Sequence, residues 1–383
     1  MGSDRPALDR QVFQMSSTFE SPASTRVGHA RHPAGSVRER QVSDFTALTQ
    51  LVQQAGLLRR SYGYYWTKLI GVTVVGLALA GHFVLIGDTW WQMITAVVLA
   101  FLMTQAAFLG HDAAHRQIFV SGKWNEWVSL IVINLFVGMG HGWWQRKHTK
   151  HHAAPNQADV DPDIASGVLA FSPQAVEVRK TRLTRWLATK QGWFFFPLLL
   201  LEGLNLHVSG IRGVLRRGKV KRRWVELGFI AFRLISYVAL VFLMLSPGKA
   251  VAFIGIQMAV FGLYMGSSFA PNHIGMPIVP PTVKIDFLRR QVLMSRNISG
   301  GRWVDTFMGG LNFQVEHHLF PSMSRPNLRK VAPMVRTYCE QLEVLYTETS
   351  LARSYRVVTT YLNRVGRGGL DVWACPLASQ YRV

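Results

Sequence analysis

Cysteine is nearly missing from this sequence: Cys339 and Cys375 are the only two in 383 residues. Their spacing fits no metal pattern, which excludes a disulfide framework and a thiolate zinc site and is compatible with a reducing, cytoplasmic face. Acidic side chains are scarce too, 21 against 42 lysines and arginines, and charged residues make up only 16% of the chain. Soluble globular domains carry roughly 25%, so an ordinary soluble globule is disfavoured. No internal repeat and no glycine-rich phosphate loop occurs. No short apolar core with a cleavage site stands near the N-terminus, so no signal peptide is expected.

What the chain does have is apolar bulk, 49% hydrophobic residues with 12 Trp and 22 Phe, and a net charge of +21. Nucleic acid is the first partner such a charge suggests, but the basic residues gather into no recognition helix or patch. They flank apolar runs instead: Arg59 and Arg60 before one, and Arg212, Arg216, Arg217, Lys219, Lys221, Arg222 and Arg223 before another. That placement follows the positive-inside rule. The charge therefore reads as topology and attraction to anionic headgroups of membrane lipids, with no nucleic-acid partner.

Residues 1–60 are rich in Ser, Arg and Gln and lack sustained periodicity, as expected of a largely disordered cytoplasmic tail with a short helix over Phe45–Leu58. Apolar runs at about 65–86 and 89–110 are each long enough to cross a ~30 Å hydrocarbon core. Gly87 and Asp88 turn between them, and Trp90 and Trp91 mark an interface. A second pair, 229–245 and 250–270, is joined by Ser246-Pro247-Gly248-Lys249 and carries Arg233, placed either to snorkel or to pair inside the bundle. The stretches 127–137 and 193–201 are too short to span and fit interfacial helices or buried caps. If 127–137 did cross alone, it would put the histidines before and after it in opposite compartments. The expected fold is an all-α integral membrane protein: four transmembrane helices in two hairpins, interfacial helices, and a cytoplasmic histidine-rich cap. The expected organisation is the N-terminal tail, a membrane domain over 61–345, and a cytoplasmic C-terminal tail over 346–383.

Eight of the 13 histidines fall in four groups: His111 and His115 in HDAAH, His148, His151 and His152 in HTKHH, His273 in PNHIG, and His317 and His318 in QVEHH, where Gln314 holds the first position. Residues three and four apart share a helix face, so each box aims its side chains at one point. Under the four-crossing topology all eight lie on one side. Imidazole suits Zn, Cu, Fe and Ni, so ligand type leaves the metal open. Eight ligands exceed one ion and suit a pair. Metal-bound histidines give their other ring nitrogen to a carboxylate or carbonyl, and Asp112, Glu316, Asp159, Asp161, Asp163 and Asp305 are nearby candidates; each reads equally as an ordinary solvated acid. His29, His32, His82, His141 and His207 stand alone and read as structural.

These residues resemble the membrane fatty acid desaturases, marked by three histidine boxes. Gln314 in QVEHHLFP, HHAAPN followed by DPDI, and LNFQVEHHLFPSMSRPNL (311–328) resemble the front-end, linoleoyl-CoA desaturase-like branch. The resemblance covers roughly residues 60–345. It implies an oxidoreductase of unsaturated fatty acid biosynthesis, with two iron ions and dioxygen as co-substrate. The family's ligand positions fall on His111, His115, His148, His151, His152, His317 and His318, and its additional position on Asn272-His273. Gln314 is left with three roles: direct ligand, ligand through water, or neither.

The resemblance also implies a fatty acyl substrate carried on CoA or on a lipid. Many front-end enzymes carry a fused cytochrome b5 domain. His32-Pro33-Ala34-Gly35 lacks the strands and second histidine of one, so a separate donor is expected: a ferredoxin, or a cytochrome b5 with its reductase. Two other readings share the site. A histidine-box acyl hydroxylase differs in its product, and a metal-containing receptor without redox turnover would consume no oxygen with substrate and donor.

Overall fold

All four apolar runs are helices in the computed structural model, which describes residues 34–369 apart from 166 and 217–219. In chain order the helices are α1 (Ala34–Gln54), α2 (Tyr62–Ile86), α3 (Gln92–Ala114), α4 (Gly122–Leu130) running into a π-helical turn (Ile131–Val137), α5 (His141–Ala153), α6 (Pro173–Glu177), α7 (Arg182–Thr189), α8 (Gln191–Leu199) and α9 (Glu202–Leu215). They continue as α10 (Arg223–Met244), α11 (Pro247–His273), α12 (Phe287–Leu293), α13 (Arg302–Phe307), α14 (Gln314–Leu319), α15 (Arg325–Gln341) and α16 (Leu351–Gly366). Strands β1 (Asn297–Ser299) and β2 (Glu348–Ser350) pair in parallel, Asn297 against Glu348 through Ser299 against Ser350.

Among the described residues, α2, α3, α10 and α11 are the four single helices long and apolar enough to cross a membrane; two bent pairs, Gly122–Val137 with α5 and α8 with α9, are so only when each is taken as one span. Their burial differs with position. α2 buries only Tyr65 and Phe83 and leaves Leu77 70% and Leu85 88% exposed, the all-round apolar surface that lipid covers. α3 is central and packs Met103, Ala106 and Ala107 against Ile133, Val137, Phe261 and Met265. The α2–α3 and α10–α11 links touch: Asp88 accepts the Ser246 N–H at 2.9 Å and pairs with Lys249 at 3.1 Å. The links therefore share one end of these helices, and His111 and His273 stand at the other.

The two short apolar stretches are parts of bent pairs. The π-helical turn ends at Gly138 (φ +91) and the chain turns by 117° into α5, while α8 meets α9 at 71°. A π turn leaves carbonyls short of intrahelical donors, and Arg233 of α10 donates to one, Phe136 O, at 2.9 Å. Arg233 thus pairs inside the bundle, with its guanidinium 4.4 Å from the Tyr237 ring. Close backbone approach seats α9: a Cβ at Gly203 would meet the Met258 carbonyl of α11.

A second apolar core lies beyond the histidine end. Leu48 and Val52 of α1 pack with Leu288, Val315, Val331 and Val335. The helix expected over 45–58 is thus longer towards its start and buried on one face from Leu48 on, whereas the tail up to residue 33 lies outside the described residues. Residues set apart by sequence as a C-terminal tail are packed as far as Gly366: Val358 and Leu362 of α16 are buried against Phe195 and Leu199 of α8. Their apolar residues recur at helical spacing, which tail composition alone conceals. Residues 370–383, Cys375 among them, lie outside the described residues.

Candidate metal centre

Boxes that each face one way come together only if their helices meet, and they do. α3 ends at its histidines, α5 carries three on successive turns, α11 ends in His273, and the short α14 presents Gln314, His317 and His318. The ring nitrogens converge: His111 Nε2 to His148 Nε2 at 3.2 Å, His148 to His115 at 2.8 Å, His152 to His148 at 3.1 Å, and His317 to His152 at 3.2 Å. His151 Nε2 faces His273 Nε2 at 3.3 Å. Contact across α3 and α5 rules out the arrangement in which residues 127–137 separate the first two boxes.

Among the described residues two all-histidine sets emerge, His111, His115, His148 and His317 in one, and His151, His273 and His318 in the other; a third group, Asp161 and Asp163 with His151, shares His151 with the second. His152 lies between them, hydrogen-bonded towards the first and stacked on His318 with ring centroids 4.2 Å apart.

The outward-facing nitrogens test whether these groups fit metal. His151 Nδ1 donates to Asp161 Oδ2 at 2.9 Å, His273 Nδ1 to Met294 O at 2.9 Å, and His318 Nδ1 to Gln291 Oε1 at 2.8 Å. A neutral imidazole with its proton on Nδ1 turns a bare lone pair inward at Nε2. Buried lone pairs facing one another repel unless a cation lies between them, and His318 Nε2 has no hydrogen-bond partner among the described residues. Ligand nitrogens at ~2.0–2.1 Å from one ion stand roughly 3 Å apart, the separation found here. The residues fit a metal site.

Electrostatics agree. Burial, reinforced by neighbouring rings, holds His115, His148, His152, His317 and His318 well below the ordinary histidine range, so they are neutral and ready to ligate. His151 moves the other way. Burial opposes its charge, but the Asp161 hydrogen bond and the charges of Asp163 and Asp161 outweigh it and raise its pKa. That corner favours positive charge.

The carboxylate candidates divide. Asp161 orients His151, and Asp112 Oδ1 lies 3.5 Å from His111 Nδ1. Asp163, 3.4 Å from His151 Nδ1, is paired with Lys147 at 2.7 Å. Glu316 and Asp305 touch no histidine among the described residues. Glu316 accepts from Asn297 and Tyr346, both at 2.7 Å, and burial raises its pKa. Asp305 takes Asn312 at 2.9 Å and Arg329 at 2.7 Å. On α14 the side chain at 316 leaves on a different face from 314, 317 and 318, which share one by spacing.

Asn272 donates to Gln314 Oε1 at 3.1 Å, which leaves the Gln314 amide nitrogen 2.9 Å from His273 Nε2. In this network Gln314 is the hydrogen-bond partner of His273. No spacing signal marks Gln291, which also ties to His152 O at 3.0 Å, or Arg325, 2.6 Å from Asp112. Both come from segments without metal-ligand spacing.

An apolar cavity of about 290 Å³ opens against His148, His151 and His273. Leu169, Phe171, Phe195, Leu199 and Leu206 line it, and Lys147, Asp163 and Glu202 supply its charge. Met139, Trp144, Met265 and Phe269 divide it from a smaller void of about 20 Å³ beside His111. Trp144 stacks on His148 with centroids 4.6 Å apart.

Comparison with known proteins converges on one family. A family model described as fatty acid desaturase matches residues 88–350, well over half of the chain. The chain is 29% identical over 342 residues to an acyl-lipid (9-3)-desaturase of Physcomitrium patens, a match covering 86% of this chain and 64% of that protein. It is 28% identical over 337 residues to a delta(8)-fatty-acid desaturase of Helianthus annuus (82% and 72%) and 29% identical over 315 residues to fatty acid desaturase 3 of Bos taurus (80% and 69%). The chain thus spans less than two thirds of the length of the first of these relatives.

Proposed function

The chain belongs to the fatty acid desaturase family, and on that premise we propose that it is an oxygen-dependent desaturase of fatty acyl chains whose eight histidines hold two iron ions. One observation carries the reading: imidazole nitrogens of two histidine groups converge beside a cavity that is apolar along most of its wall. When bound, the iron pair supplies the activation of dioxygen that removes two hydrogens from adjacent methylenes. Electrons come from a separate ferredoxin, or from a cytochrome b5 with its reductase.

The chain's own residues position and protect. Leu169, Phe171, Phe195 and Leu199 bind the acyl chain at about 0.8 kcal/mol per methylene withdrawn from water. His148, His151 and His273 line the same cavity, so a bound chain lies against both ligand sets. Asp161 and the Met294 carbonyl keep the protons of His151 and His273 on Nδ1, so each Nε2 is the acceptor that would take metal, at His273 in place of the Gln314 amide hydrogen bond. Close packing of Phe269 and Trp144 excludes bulk water from the ring nitrogens. In the bilayer α2–α3 and α10–α11 form two hairpins, with the histidines and their cap on the cytoplasmic face, where CoA- or lipid-bound substrate and donor both arrive.

The test is expression in a host of defined fatty acid composition, followed by location of new double bonds. The expected result is an unsaturated product with the intact chain, and none with His152→Ala or His317→Ala although both variants insert in the membrane. A hydroxy fatty acid as the main product would replace desaturation with hydroxylation, and full activity in either variant would refute the site.

A further inference from the structure

Each ligand set has its own carboxylates, and their charges balance differently. Beside His151 stand Asp161 and Asp163. Asp161 is held by the ring and by the backbone N–H groups of Asn156 and Asp163, at 2.8 and 2.9 Å. Lys147, 2.7 Å from Asp163, is the one lysine or arginine in an ion pair with these two acids among the described residues, so one of their two negative charges has no such partner. Beside His111 stands Asp112, and Arg325 Nη2 lies 2.6 Å from its Oδ2, an ion pair off the hydrogen-bond axis. That set is neutral.

Arg325 is firmly placed. Its backbone N–H donates to Tyr65 Oη at 3.0 Å, its stem fills the space a side chain at Gly310 (φ +79) would take, and its guanidinium faces the Phe108 ring. It is only 8% exposed. A charge in so dry a place is weakly screened and acts at full strength on its neighbours.

We propose that Arg325 is a positioning residue that cancels the charge of Asp112 and makes the two metal positions electrically unequal, so that the His151–His273–His318 position is the more easily oxidised. This rests on the reading above, that the two sets hold redox-active iron. Uncompensated negative charge favours the higher oxidation state; the neutral His111 set favours the lower one. If the pair only staples the start of α15 to the end of α3, removing the guanidinium charge would leave both midpoints where they are.

The test is a redox titration of the purified, iron-loaded full chain, followed by Mössbauer spectroscopy, with iron per chain measured alongside. The wild type is expected to bind two iron ions and to titrate in two steps. Arg325→Gln should favour the oxidised state of the later-oxidised position at least tenfold, lowering that midpoint by about 59 mV or more and drawing the steps together. Arg325→Lys should restore the interval. If Arg325→Gln fails to fold, the double variant Asp112→Asn with Arg325→Met, which removes both charges, carries the test and should keep the wild-type interval. Two iron ions with unmoved midpoints in Arg325→Gln, or a double variant whose steps merge, would overturn the proposal. A wild type holding fewer than two iron ions would overturn the functional reading and this proposal together.

Discussion

Replacing Asp161 by asparagine tests the centre with the least change of shape. Three donors converge on this carboxylate: His151 Nδ1 and Asn156 N on Oδ2, and Asp163 N on Oδ1. An amide offers one oxygen. Placed at the Oδ2 position, it keeps two of the three and turns its NH₂ towards the Asp163 N–H, leaving a donor unsatisfied at about 1–3 kcal/mol. The charge that favours a cation at His151 disappears as well. Loss of an oriented carboxylate behind a metal-bound histidine typically lowers metal affinity 10–100-fold, or about 1.4–2.8 kcal/mol. The assay is iron per chain at equilibrium with a competing chelator. One of two ions should be released at 10–100-fold lower chelator strength while the other is retained. Asp305→Asn is the control, because Asp305 serves Asn312 and Arg329 rather than a histidine. Wild-type retention of both ions in Asp161→Asn, or equal loss in Asp305→Asn, would refute the assignment.

Metal-free protein should lose stability as pH falls from about 6.5, the unperturbed histidine value. His115, His148, His152, His317 and His318 titrate lower when folded, so the unfolded chain binds more protons there; His151 and Glu316, with raised pKa values, oppose them. Thermal unfolding in detergent between pH 5 and 8 checks this, and a midpoint that rises on acidification would contradict it. Phe269→Ala removes part of the wall between the two cavities and should shift products towards longer acyl chains; an unchanged chain-length profile would show that Phe269 does not limit the chain. Gly203→Val would push a side chain into the Met258 carbonyl, and overpacking of this kind costs about 1–3 kcal/mol or more. A lower unfolding temperature is expected, and a wild-type value would mean that α9 and α11 can separate freely.

Much of the site was legible in the chain because its information is local. Histidines three and four apart share a helix face whatever the rest of the protein does, and apolar runs of about twenty residues declare their own length. Asp161 was legible too, ten residues beyond His151. Glu316 and Asp305 show where proximity in sequence misleads: the first turns away from its histidine neighbours, and the second is taken by Arg329. The helix over Phe45–Leu58 is legible but its burial from Leu48 on is not, and α16 falls in a segment expected as a tail, since composition does not show which face finds a partner.

Box spacing and hydropathy, then, determined from the sequence alone that histidines would cluster and that four helices would be apolar enough to span. Tertiary structure decided how the boxes join: two sets rather than one, His152 between them, Gln314 turned to His273, Gln291 behind His318 and Arg325 upon Asp112. The physical reason is the range of each effect. Helical period fixes neighbours within a turn or two, whereas the contact between residues 112 and 325 exists only because the tertiary fold brings the start of α15 to the end of α3.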